Sequence, residues 1–193
     1  IKIRKNENIK NYKLDLIFSC FPHGELAKNL KKFKIKKETN IIDLSADFRF
    51  HDTKLYYDTY GIDHKCKNIL QTAIYGLTEL NRDQIKKAKL IANPGCYPTA
   101  ALLSIIPLIE GGIISLEDII IDAKSGVSGA GRSNKEDLMF SEVSESMKPY
   151  NIGKHRHTPE IEKVIESISG KEIKINFTPH LIPINRGELL TIY

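Results

Sequence analysis

Short apolar runs separated by amphipathic stretches dominate the first half of the chain. "KLDLIFSCF" (13–21) predicts a buried strand, and "PHGELAKNLKKF" (22–33) spaces its apolar residues as a helix would. "TNIIDLSADF" (39–48) predicts a second buried strand, whereas "FRFHDTKLYYDTYG" (48–61) is aromatic, polar and irregular. "ELNRDQIKKA" (79–88) predicts a short helix and "KLIANPG" (89–95) a third strand. "YPTAALLSIIPLIEGG" (97–112) predicts a buried helix, with Pro98 in its first turn and Gly111–Gly112 at its end. Strands alternating with helices, and strands that are apolar almost throughout, predict a parallel α/β sheet.

The pattern then changes. "EDIIIDAKSG" (117–126) predicts a strand and "VSGAGRSNKEDL" (127–138) a Gly/Ser loop. In "TPEIEKVIESISG" (158–170), Ile161, Val164, Ile165 and Ile168 share one helical face; Thr158 is the expected N-cap and Gly170 the stop. "KEIKINFTPHL" (171–181) alternates like a half-buried strand, with "GELLTIY" (187–193) expected to pair with it. This half predicts an α+β layer, and the boundary between the two parts is expected near Cys96 or within the helix that follows it.

Composition narrows the class. The chain has 193 residues, of which 41% are hydrophobic and 27% charged, enough for one large domain or two small ones. Its net charge of +5 comes mostly from lysines spread along the chain, which reads as a solvated surface or as attraction to anionic metabolites. No RNA-binding aromatic signature or zinc-finger spacing points to nucleic acid. No apolar run approaches the roughly 18 residues that span a membrane, and the opening stretch lacks the features of a signal peptide. Cys20, Cys66 and Cys96 form no CxxC pair, which suits reduced thiols in a cytoplasmic protein. An opening without methionine and a close inside a strand predict an internal piece of a longer protein.

Cys96 stands out chemically. In "NPGCYPT" (93–99) it follows a strand and a Pro-Gly turn and precedes a helix. There the helix dipole and free N–H groups would lower a thiol pKa and could hold an oxyanion, although a free cysteine is as often a small buried hydrophobe. Cys20 and Cys66 lack this setting and read as structural. "GKHRHTPEIE" (153–162) holds the densest histidine cluster. His157 precedes the helix start, with Glu160 near enough to orient it, and a surface role is the alternative. The HxH spacing of His155 and His157 could serve a metal, but no other ligand cluster completes a site, so no metal is expected. "KSGVSGAGR" (124–132) offers flexible backbone to an anion or is simply a loop. Lys124, Arg132 and Arg186 are candidate anion binders.

The segments "FPHG", "IIDLSADFR", "YGLTEL", "ANPGCYPTAALL", "DAKSGVSGAGR", "HRHTPEIE" and "FTPHLIPINRGEL" together resemble the N-acetyl-gamma-glutamyl-phosphate reductases, relatives of the aspartate-semialdehyde dehydrogenases. The resemblance implies a partial NADP-binding Rossmann domain (1–96), lacking its first strand and glycine-rich turn, followed by an α+β catalytic domain (97–193). It implies a cytoplasmic homo-oligomer of arginine biosynthesis that uses NADP(H) and a small-molecule acyl phosphate. Cys96 would form a thioester with N-acetyl-glutamyl phosphate and release phosphate, and hydride from NADPH would give the semialdehyde. His157 would be the acid/base, supported by Glu160, with His155 as second choice and a substrate-binding candidate. Arg132 and Arg186 would bind substrate carboxylate or phosphate. Pro22, His23, Gly24, Ser125, Gly126, Ser128 and Gly129 would approach the cofactor. The competing readings are the lysine-pathway relative acting on N-acetyl-aminoadipyl phosphate, a non-catalytic fragment of the same fold, and a cysteine hydrolase.

Overall fold

The computed structural model describes residues 6–131 and 134–193. The chain divides into two compact units, Ile1–Gly95 and Cys96–Tyr193.

The first unit is built on a parallel sheet. Its strands are β1 (Leu16–Ser19), β2 (Asn40–Asp43), β3 (Ile74–Tyr75) and β4 (Leu90–Ala92), in the spatial order β1-β2-β4-β3. The central strands bury Ile41, Leu90 and Ala92 against Leu26, Phe48 and Leu70. β1 departs from the expectation of a buried strand. It lies at the sheet edge with Leu16 and Phe18 exposed, because one of its faces meets no covering element within this unit.

The helix expected over 22–33 is confined to α1 (Glu25–Asn29), after which the chain turns, with Lys34 at φ +46°. The stretch expected to be irregular contains α2 (Thr53–Tyr60). Asp52 caps that helix by accepting the N–H groups of Lys54 and Leu55 at 2.7 and 3.2 Å, and Gly61 ends it at φ +67°. α3 (Lys67–Leu70) and β3 were too short to show a period, whereas α4 (Thr78–Ile85) overlaps the helix expected over 79–88 and ends three residues sooner.

The second unit opens with α5 (Cys96–Glu110). Tyr97, Ala101 and Ile105 form one buried row and Pro98, Leu102 and Ile106 the next; Leu103 and Leu108 remain exposed. The run is therefore apolar all round but buried on one side within this unit. The sheet order is β6-β7-β5-β8. β5 (Ile120–Gly126) runs parallel to β7 (Asn176–Ile182) and antiparallel to β8 (Glu188–Ile192), while β6 (Lys148–Pro149) flanks β7. The hairpin expected between 171–181 and 187–193 does not form, because β5 lies between the two strands. β5 has the fully buried Ile121 and Ala123 on its inner face, and the link after β7 passes its end, where the N–H groups of Val127 and Gly126 donate to Ile184 and Gly187 carbonyls.

Between these strands lie the single-turn helix α6 (Phe140–Val143) and α7 (Thr158–Ser169), the latter burying Ile161 and Ile165. Its N-cap is His157, not Thr158. The Thr158 N–H bonds the His155 carbonyl at 3.0 Å, which draws helical geometry back by one residue. Gly170 closes α7 at φ +68°, as expected. No helix among the described residues is long and apolar enough to cross a membrane.

Candidate active site

Cys96 is the first residue of α5, directly after the Pro94–Gly95 turn. Its thiol keeps solvent access, and Glu188, the residue that opens β8, is among the groups that act on it electrostatically. Backbone N–H groups at the helix start favour the thiolate, as the sequence leads one to expect. They are outweighed. The protein packed around the sulfur and the neighbouring Glu188 push the thiol up to about 12, so the free-standing thiol is protonated at neutral pH. Burial likewise holds the Glu188 carboxyl above its ordinary range.

Aromatic groups surround this pair. Glu188 stands opposite Ser125 in the β5–β8 ladder, and the Ser125 hydroxyl donates to the Gly126 carbonyl at 3.1 Å. The hydroxyls of Tyr97 and Tyr150 are 3.1 Å apart, and burial keeps both protonated well above the usual range. The Tyr97 ring lies 5.7 Å from His155, 6.0 Å from His157 and 5.2 Å from Phe177, centre to centre.

Both histidines are buried in this cage. His155 Nδ1 accepts the His157 N–H at 3.2 Å, and burial lowers its pKa to about 4, so it is a neutral imidazole that shapes the turn into α7. Glu160, 1% exposed, lies in the first turn of α7, one turn along from His157. The second unit thus holds Cys96, His155, His157 and Glu160 with the aromatic cage.

The remaining candidates lie elsewhere. Arg186 is exposed and lines an open recess with Val127, Ser128, Gly131 and Asn185. Arg132 lies outside the described residues. Lys124 is paired with Asp122, whose other oxygen is 3.2 Å from His180 Nδ1, so its charge is not free for an anion. Ser125 is buried, and a Cβ on Gly129 would stand 2.6 Å from its hydroxyl oxygen. A Cβ on Gly126 would meet the backbone of Ile184 and Arg186 at 2.9 and 2.8 Å. These glycines are required by neighbouring protein atoms, whatever else they contact. Among the described residues no group of three or more His, Cys, Asp or Glu could hold a metal.

Pro22, His23 and Gly24 follow β1 at the carboxyl edge of the parallel sheet, where ligands of such sheets bind. Their hydrogen bonds are largely used internally. Asp47 accepts the Gly24 and Ala27 N–H groups, and His23 Nδ1 accepts that of Ala46 at 2.9 Å. The turn therefore fits a dinucleotide as a flanking wall rather than as a phosphate cradle.

Sequence reasoning missed Glu188, Tyr97 and Tyr150. Tyr97 was adjacent to the cysteine in the motif; Glu188 carried only the weak signal of a carboxylate after "NRG". Cys66 is buried with a raised thiol pKa, in keeping with a structural role, whereas Cys20 is exposed.

Two family models match the chain: the semialdehyde dehydrogenase NAD binding domain over residues 1–88, and the semialdehyde dehydrogenase dimerisation domain over residues 96–193. The chain belongs to the semialdehyde dehydrogenase family. It is similar to the N-acetyl-gamma-glutamyl-phosphate reductases of Lachnoclostridium phytofermentans (54% identical over 93% of this chain and 52% of the relative) and Campylobacter jejuni subsp. doylei (49% identical over 98% and 55%). The chain spans about half the length of these relatives. Its fold is that of aspartate semialdehyde dehydrogenase II from Vibrio cholerae, at a TM-score of 0.63 and 15% identity, covering 92% of this chain and 54% of that one. The Francisella tularensis enzyme matches at 0.64 and 13%, over 97% and 59%.

Proposed function

We propose that the protein to which this chain belongs reduces N-acetyl-glutamyl 5-phosphate to N-acetylglutamate 5-semialdehyde and phosphate, in arginine biosynthesis. The observation that carries the reading is the thiol of Cys96 at the start of a 15-residue helix, in a chain about half identical to reductases of that name. The Cys96 sulfur attacks the acyl carbon, phosphate leaves, and a thioester forms. N–H groups of the first turn of α5 hold the carbonyl oxygen as charge develops there. His157 donates or accepts the proton at that oxygen as the thiohemiacetal forms and collapses, with Glu160 supporting it. His155 fixes the turn that carries His157. Arg186 and Arg132 bind substrate carboxylate or phosphate, for which a guanidinium fork is suited. NADP(H) would supply the hydride; Pro22, His23 and Gly24 in the first unit, and Ser125, Gly126, Ser128 and Gly129 in the second, are the candidates to hold it.

A homo-oligomer in the cytoplasm suits this reading. The outer face of the second sheet carries the half-buried Lys124 and His180 with exposed Ile120, Leu189 and Tyr193, and the model matching this half is described as a dimerisation domain.

The test is NADPH oxidation with N-acetyl-glutamyl phosphate and, in parallel, N-acetyl-aminoadipyl phosphate. Faster turnover of the glutamyl substrate is expected; preference for the longer one would assign the lysine-pathway reaction. Cys96→Ser should cost several orders of magnitude and His157→Asn about 10²–10⁴-fold in kcat. Near-normal turnover in either variant would remove that residue from its role.

A further inference from the structure

The turn after β1 has the location of a cofactor-binding element but not the chemistry of a phosphate site. Phosphates at such turns are held by backbone N–H groups that have no other partner. Here the donors are already used. The Gly24 and Ala27 N–H groups donate to Asp47, one to each carboxylate oxygen, the second at 2.9 Å. The Glu25 N–H donates to the Pro22 carbonyl at 3.2 Å. Asp47 is 0% exposed, and an N–H donor on each of its oxygens is the pattern of a carboxylate. A third donor is the Tyr56 hydroxyl of α2, at 3.0 Å, which burial and the neighbouring Asp47 keep protonated.

The loop that carries Asp47 grips the same turn a second time, because the Ala46 N–H donates to His23 Nδ1 at 2.9 Å. Asp47 is itself held in place. Its N–H donates to the Ser45 hydroxyl at 3.1 Å. His64, whose Nδ1 accepts the Cys66 N–H at 3.2 Å, donates from Nε2 to the Asp47 carbonyl at 2.7 Å. The turn in between is tight: Gly24 stands at φ +85°, and a Cβ there would meet the Ile62 side chain at 3.2 and 3.3 Å. The shape of residues 22–24 therefore depends on a buried carboxylate that follows the next strand.

We propose that Asp47 is a positioning residue for the cofactor: it shapes the Pro22–Gly24 turn into a wall for the uncharged, nucleoside part of NADPH and keeps the phosphates off it. The proposal rests on the assignment of this turn to the cofactor. A phosphate here would find the N–H groups of Gly24, Glu25 and Ala27 occupied and would meet a buried negative charge behind them. In a medium of low dielectric that repulsion is weakly screened. A ribose or the reduced nicotinamide ring carries no charge to be repelled and packs against such a wall.

Backbone amide NMR of the full-length, deuterated protein reads the contact without any turnover. NADPH should shift the His23 and Gly24 amides, whereas pyrophosphate at millimolar concentration should leave both in place. Asp47→Asn sets an amide donor against an N–H and should weaken NADPH about tenfold in a fluorescence titration. With the buried charge gone, pyrophosphate should now shift the Gly24 amide, a response that a merely loosened fold does not produce. Asp47→Glu keeps the charge on a longer arm and carries the test should the first variant not fold: NADPH weakens and pyrophosphate still has no effect. A pyrophosphate shift at Gly24 in the wild type would make the turn a phosphate site and overturn the proposal while leaving the cofactor assignment standing. NADPH shifts elsewhere but at neither His23 nor Gly24 would overturn both. Unchanged NADPH affinity in a folded Asp47 variant would remove Asp47 from the role.

Discussion

At the residue scale, the two histidines of "HRHT" differ by environment rather than by type. His155 sits among Tyr97, Tyr150, His157 and Phe177 and uses Nδ1 as a backbone acceptor. Its pKa falls from the usual 6.5 to about 4 because burial penalises the imidazolium. The unfolded chain therefore binds more protons between those values. Stability is full above pH 6.5 and is lost as pH falls towards 4, by about 3 kcal/mol for this group alone. His155→Asn keeps an acceptor for the His157 N–H and should flatten this slope, while lowering stability at pH 7 through lost ring packing. Denaturant melts at pH 7 and pH 4.5 measure both; an unchanged slope would mean that His155 is not the group responsible. Cys96, His157 and Glu160 were legible because each stands in a short motif next to a helix start. Glu188 and Tyr150 were not, since their neighbours, Ser125 and Tyr97, lie more than 50 positions away and only the folded chain brings them together.

At the element scale, the glycine-rich loop after β5 has a steric explanation. The Gly126 N–H donates to the Gly187 carbonyl at 3.0 Å, and the strand end lies so close to residues 184–186 that no side chain fits. Gly126→Ala should displace the segment that bears Arg186 and lower stability by about 1–3 kcal/mol. On the proposed reading, in which Arg186 binds substrate, KM should rise more than kcat falls. A variant with normal stability and KM would show that the close approach is not rigid. Periodicity found the long elements α5, α7 and β5 and lost the short ones. α2 was overlooked although Asp52 and Gly61 bracket it with the usual cap residues, because its aromatic and polar side chains give a blurred stripe. The hairpin expected between β7 and β8 failed for another reason. Adjacency in sequence favours pairing, but both strands gain more by flanking the apolar β5.

At the scale of the molecule, both layers were legible: a parallel sheet in the first unit, then an α+β layer in the second, in which the thiol opens helix α5. The exposed outer face of the second sheet was not, since alternation in β7 and β8 says which residues face out but not what covers them. On the proposed reading a second copy does. Light scattering should give a dimer or larger assembly, and Leu189→Glu on that face should shift it towards monomer; an unaffected assembly would move the interface elsewhere. The central claim is the thioester on Cys96, and it has a direct test. The protein is mixed with N-acetyl-glutamyl phosphate in the absence of NADPH, quenched in acid and digested. The account predicts one N-acetylglutamyl group on the peptide containing Cys96, with phosphate released in equal amount and the adduct lost on addition of NADPH. Phosphate release with no adduct, or an adduct on Cys20 or Cys66 instead, would contradict it.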